Sequence, residues 1–140
     1  MKIYCLFFLF SLPLLLLGQS DADAIIGEYW TEKQQGKIAI YKSNDRYYGK
    51  ILWRADPQKD QHNPDPTLRD SSVIGLVFLK DFVFKNGKWV KGKVYSIDNG
   101  KTYSGKLWLE DAGKVLKMRG FLGFSLLGRT AQLTRVENSK

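Results

Sequence analysis

From Ile25 to Val136 the apolar residues of this chain recur at every second position, in short runs separated by turn formers. That period constrains the fold more than any other feature, because it places apolar side chains on one face of a strand and cannot make a helix amphipathic. The runs predict strands at Ile25–Glu32, Lys37–Lys42, Arg46–Arg54, Val73–Leu79, Trp89–Ile97, Thr102–Glu110, Val115–Leu122 and Leu127–Val136, with a short one at Phe82–Lys85. Gln35-Gly36, Asn44-Asp45, Asn86-Gly87, Asn99-Gly100 and Asp111-Ala112-Gly113 supply turns between them. Only Ala55–Ser72 is a long connection. About eight short antiparallel strands form a meander, which removes its exposed edges by closing. The expected fold is all-β: an antiparallel up-and-down β-barrel, or a strongly curved meander, in a single domain.

The glycines support closure. Gly-Lys occurs at 36–37, 87–88, 100–101 and 113–114, where turns are expected, and at 49–50, 92–93 and 105–106, in mid-strand, as does Gly120. A glycine inside a strand weakens it unless the sheet bends sharply or another chain segment approaches closely. A phosphate-binding reading of these glycines needs a strand-to-helix turn, and no helix follows them.

Lys2 and the apolar run Ile3–Leu17, followed by Gly18-Gln19-Ser20, have the layout of a secretory signal peptide over residues 1–20, leaving a domain at 21–140. The expected location is therefore periplasmic or secreted. Cys5, the one cysteine, leaves with that segment, so disulfide and thiolate-metal chemistry are excluded. Loss of Lys2 lowers 22 basic residues to 21 against 14 acidic ones, a net charge of +7 in place of +8.

If Asn99-Gly100 is a two-residue turn, Asp98 faces Lys101, and Val90, Gly92, Val94 and Ser96 face Leu109, Leu107, Gly105 and Tyr103. A four-residue turn at Asp111–Lys114 then opposes Leu109, Leu107 and Gly105 to Leu116, Met118 and Gly120. The opposite face carries Lys91, Trp108 and Lys117 in one row and Lys93, Lys106 and Arg119 in the next. Three adjacent cations invite an anion, and an indole between lysines invites cation–π contact. These six residues are the candidate anion-binding surface, although lysines also serve simply to keep a sheet face soluble.

Asp60, Asn63, Asp65 and Arg69 form a second constellation in the long connection, with His62, the chain's one histidine. The spacing is not that of a calcium loop, zinc would need further nitrogen or sulfur ligands, and no nucleophile turn accompanies the histidine. No metal and no cofactor is expected. Beside Pro64 and Pro66, Asp and Asn act as turn formers. At the chain's ends, closure is expected to bring Trp30 near Arg129 or Arg135, with an arginine plane over the indole.

Together, Tyr48-Gly49-Lys50-Ile51, the 60–69 segment DQHNPDPTLR, GKVY at 92–95, NGKTYSGKLWL at 99–109, LKMRGFLG at 116–123 and LLGRTAQLTRV at 127–136 resemble the exported bacterial family called domain of unknown function 2147. The resemblance spans nearly all of residues 21–140 and implies one exported β-rich domain with no assigned activity. Many members carry cysteines where Tyr48 and Ile74 stand here, so the resemblance implies that this long connection is held by packing. Gly27 and Trp30 with a late arginine also resemble lipocalin-type barrels more loosely, Trp30 standing three residues after the glycine where those have two.

Three functional classes follow. The first is a non-enzymatic envelope module that contacts an anionic lipid, a polysaccharide or an envelope protein through the basic face or the 55–72 loop; membrane contact would be peripheral, and nucleic acid fits the charge but not the address. The second is a carrier of a small apolar ligand inside the barrel, lined by Val90, Tyr103, Leu107 and Met118. The third, ranked last, is a hydrolase using Asp60 and Asp65. Oligomeric state is not legible.

Overall fold

The structure, a computed structural model, describes residues 21–121 and 128–138; the signal-like segment 1–20 with Cys5 lies outside the described residues. Eight strands, β1 Gly27–Trp30, β2 Gly36–Ser43, β3 Arg46–Arg54, β4 Val77–Lys85, β5 Lys88–Tyr95, β6 Thr102–Glu110, β7 Val115–Phe121 and β8 Arg129–Arg135, form a closed antiparallel barrel in chain order. Of the expected strand Val73–Leu79 only residues 77–79 are strand, joined with Phe82–Lys85 as β4, while residues 73–76 lie in the connection before it. Three short 3-10 turns, Asp21–Ile25, Glu32–Gln34 and Pro66–Leu68, complete the described elements.

Connections alternate between the two ends, as a meander requires. One end carries the 3-10 turn Asp21–Ile25 and the tight turns β2–β3, β4–β5 and β6–β7. Asn44, Asp45, Asn86 and Gly87 all have positive φ, the backbone that two-residue hairpins demand. The other end carries β1–β2, β5–β6 and the long connection.

Side chains from the first end fill the barrel. Ile25, Tyr29, Ile40, Tyr47, Leu79, Phe82, Trp89, Leu107 and Leu116 are buried as one cluster. The N-terminal turn is tied over them: Trp89 Nε1 donates to the Ala22 carbonyl at 3.0 Å, Tyr47 Oη donates to Asp23 at 2.6 Å, and Tyr29 Oη donates to the Ile25 carbonyl at 2.8 Å.

The closing seam is short, with only Tyr29↔Arg135 and Trp30↔Thr134 paired between β1 and β8. Arg135 reinforces it. Its guanidinium lies 4.8 Å over the Tyr29 ring and donates to the carbonyls of Gly113 (2.9 Å), Ile26 (3.0 Å) and Ala24. A side chain at Gly27 would put a Cβ 2.6 Å from that guanidinium. The expected arginine over Trp30 is therefore corrected: Arg135 covers Tyr29, while Trp30 points outward, edge-on to Trp53 at 6.0 Å and with the Lys37 ammonium 5.1 Å from its ring.

Two registers met different fates. Between β6 and β7, Leu109↔Leu116, Leu107↔Met118 and Gly105↔Gly120 pair as expected. Between β5 and β6 the pairs are Gly92↔Gly105 and Val94↔Tyr103, two residues away from expectation. The cause is the turn: Ser96 N–H bonds the Lys101 carbonyl at 2.9 Å, so four residues, 97–100, lie in the loop. A bulge between Trp89 and Gly92, where Lys91 has φ 59°, then turns Trp89 inward in place of Val90.

Candidate functional site

Inside the barrel, one cross-strand row divides filled from open space. Gly92, Gly105, Gly120 and Arg129 are successive neighbours on β5, β6, β7 and β8. Phe82 rests where Gly92 lacks a side chain, since a Cβ there would fall on its ring; a Cβ on Gly105 would lie 2.5 Å from Val94 Cγ2 and 3.2 Å from the edge of Phe82. At Gly120 the nearest atom to such a Cβ is Tyr103 Cβ at 3.6 Å, an ordinary contact distance. The row thus passes from packed core to cavity.

The cavity occupies the second end as two overlapping lobes of about 600 and 630 Å³, within the range of small-molecule sites. Ile38, Ile51, Phe78, Val94, Met118 and Leu133 form much of the apolar wall. Tyr103 and Gly120 border the second lobe, while Val94, Ser96, Asp98, Met118, Arg129 and Ala131 border both. Of the side chains expected inside, Met118 and Tyr103 line the cavity, Leu107 is buried in the core, and Val90 is displaced by the β5 bulge.

Arg129, expected at the closure, stands on this wall. The sequence held the signal: Leu133, Ala131 and Arg129 alternate onto one face, and the first two are apolar. No ion pair or hydrogen bond of Arg129 is formed among the described residues.

The long connection braces the mouth. Asp60 is 2% exposed. It accepts from Tyr95 Oη and Asn63 Nδ2, both at 2.7 Å, and its backbone N–H bonds the Ser71 carbonyl. Burial, reinforced by the bond to Asp60, pushes the Tyr95 phenol up to about 12. Asp65 caps the turn at Thr67, whose hydroxyl and amide hold its carboxyl below the usual range, and Arg69 Nε donates to the Asn63 carbonyl at 2.8 Å. His62 is exposed, but its backbone carbonyl lies against Gly100, so closely that a Cβ there would overlap it. Among the described residues no three His, Cys, Asp or Glu side chains converge as metal ligands.

The corrected β5–β6 register also rearranges the basic face. Lys106↔Arg119 and Trp108↔Lys117 are neighbours, as expected, but Lys93 pairs with Ser104 and donates to its hydroxyl at 3.3 Å, and Lys91 sits in the bulge. The row of three cations is therefore broken. Trp108 lies between the ammonium groups of Lys88 (5.7 Å) and Lys106 (5.9 Å), not between Lys91 and Lys117. Lys117 bonds Gln132 at 2.7 Å and approaches Glu110 at 3.8 Å, and Arg119 donates to Thr130 at 2.9 Å.

A family model described as "Uncharacterized protein conserved in bacteria (DUF2147)" matches residues 27–135, from the first residue of β1 to the last of β8. A solved structure from Helicobacter pylori, the protein HP1028, described as belonging to the lipocalin family, matches with a TM-score of 0.73 at 24% identity, covering 81% of this chain and 84% of that one. At that identity the likeness shows the fold. No curated protein matches the chain.

Proposed function

The chain belongs to the bacterial DUF2147 family, and on that premise we propose that it is a non-enzymatic binding protein that holds a small, largely apolar molecule in the open half of its barrel. The interior carries this reading: an eight-stranded barrel has room either to pack its own side chains or to hold one small ligand, and the described residues pack one end and leave the other open. The lipocalin-type fold of the Helicobacter pylori neighbour is consistent with it. The signal-like segment 1–20 supports a site of action in the periplasm or outside the cell, and mass measurement of the exported chain should give a start near Asp21.

Titration with the neutral fluorophore N-phenyl-1-naphthylamine tests the reading. Saturable enhancement at one site per chain, weakened by Gly120→Val with folding intact, is the expected result. Absence of saturable binding contradicts it.

A second reading, contact with an anionic lipid or polysaccharide through the outer face, is favoured by one observation: Lys106 and Arg119 are directly paired like charges beside a lysine-flanked indole. Salt-sensitive retention on anionic vesicles, lost in Lys106→Gln/Arg119→Gln, is its test. The hydrolase reading gains no support, since Asp60 and Asp65 are engaged in bracing their own loop.

A further inference from the structure

Resting on the carrier reading, the geometry points to the chemical class of the ligand: a single-chain amphiphile with an anionic head group, its head on Arg129 and its chain along the apolar wall of Val94, Met118 and Phe78. Three observations converge on it. Arg129 stands in line with Ala131 and Leu133 on the cavity face of β8, exposed at the mouth where the buried Leu133 is not. It forms no ion pair or hydrogen bond among the described residues while bordering both lobes. Its neighbour in the row is Gly120, which lines the second lobe beside it without a side chain of its own.

Val94, Met118, Ala131, Ile38, Ile51 and Leu133 give the first lobe an apolar wall, and Glu32, Lys37 and Arg54 also line it. A guanidinium at the mouth of an apolar space fits a carboxylate or phosphate, with which it makes charge-assisted, bidentate hydrogen bonds that a hydroxyl cannot match. Phe78 lines the same lobe, while Phe82 lies fully buried beyond it against Gly92. Asp98 also borders both lobes, from the β5–β6 connection, and makes no ion pair with Arg129. It disfavours a second anionic group and can accept from a hydroxyl on the head. Tyr103, whose phenolic oxygen accepts from Asn99 Nδ2 at 2.7 Å, stands at the same lobe with a hydroxyl proton to donate.

Calorimetric titration of the folded domain with octanoate, octyl phosphate, octanol and octylamine tests this class. Octanoate or octyl phosphate should bind about tenfold more tightly than octanol, and octylamine least, the ratio expected for one charge-assisted hydrogen-bond pair. Arg129→Gln should bring octanoate and octanol to equal affinity, and Arg129→Lys should restore part of the preference. In Lys106→Gln/Arg119→Gln, which removes the same kind of charge from the outer face, the preference should persist; its loss there would assign it to the overall field and overturn the inference. Equal binding of all four compounds, or an anion preference that survives Arg129→Gln, overturns the inference and leaves the carrier reading standing. Binding of none of them, together with no N-phenyl-1-naphthylamine enhancement, overturns the carrier reading itself.

Discussion

The two ends of this barrel are built from the same strands and differ in what the connections do. At the closed end the turns are tight, the N-terminal turn is hydrogen-bonded over Tyr29, Tyr47 and Trp89, and Arg135 draws three carbonyls together across the seam. At the open end the β5–β6 connection borders the mouth, and the 55–72 loop spends its polar side chains bracing itself and Tyr95. Among the described residues the interior is packed at the first end and open at the second. Within one row, Gly92 makes room for Phe82 and Gly105 for Val94 and the edge of Phe82, while a Cβ on Gly120 would meet only an ordinary contact with Tyr103.

Substitutions should separate the two ends. Phe82→Ala removes the largest wedge of the packed half and should cost about 3–5 kcal/mol in urea unfolding; a cost below 1 kcal/mol would mean that the waist is not close-packed. Arg135→Gln should cost about 2–3 kcal/mol, the scale of hydrogen bonds to a charged donor. Arg135→Lys should recover less than half of that loss, because an ammonium cannot span the three carbonyls as a planar fork does.

Gly92→Ala and Gly120→Ala form a matched pair. The first drives a methyl into Phe82 and should cost about 1–3 kcal/mol; the second meets only an ordinary contact and should be neutral or stabilising by up to about 1 kcal/mol through reduced chain entropy. Equal costs would erase the distinction between the halves. The smallest effect is alkaline. The Tyr95 phenol is raised from its ordinary value near 10 to about 12, and Tyr47 is raised as well, chiefly by burial. Their contribution is therefore complete below pH 10 and is lost as pH rises toward and through 12. Stability should fall over that interval, and Tyr95→Phe should make the fall shallower.

Much of this architecture was legible in the sequence because strand alternation and turn chemistry are local. Arg46–Arg54 and Thr102–Glu110 are strands with the expected bounds, and the β6–β7 register follows from its four-residue turn. The β5–β6 register was not legible. Gly100 satisfies a long-range demand, since it lies against the His62 carbonyl, and only secondarily a turn preference; Asn99-Gly100 therefore looked like a two-residue hairpin that it does not form. The bulge at Lys91 added a residue that no periodicity announces, and it exchanged Val90 for Trp89 inside the barrel. Those two displacements also broke the expected row of cations. Arg129 was visible by alternation, but its meaning depended on Phe82 stopping short of Gly120, a relation between distant strands.

The central claim, that one end is plugged and the other receives ligand, is tested most directly by mapping amide chemical shifts of the 15N-labelled domain during titration with octanoate. The predicted result is that Ile38, Val94, Met118, Arg129 and Ala131 shift along saturable curves while Tyr29, Trp89 and Leu116 stay in place. Shifts centred on Lys106, Trp108 and Lys117, or on the closed end, would contradict it.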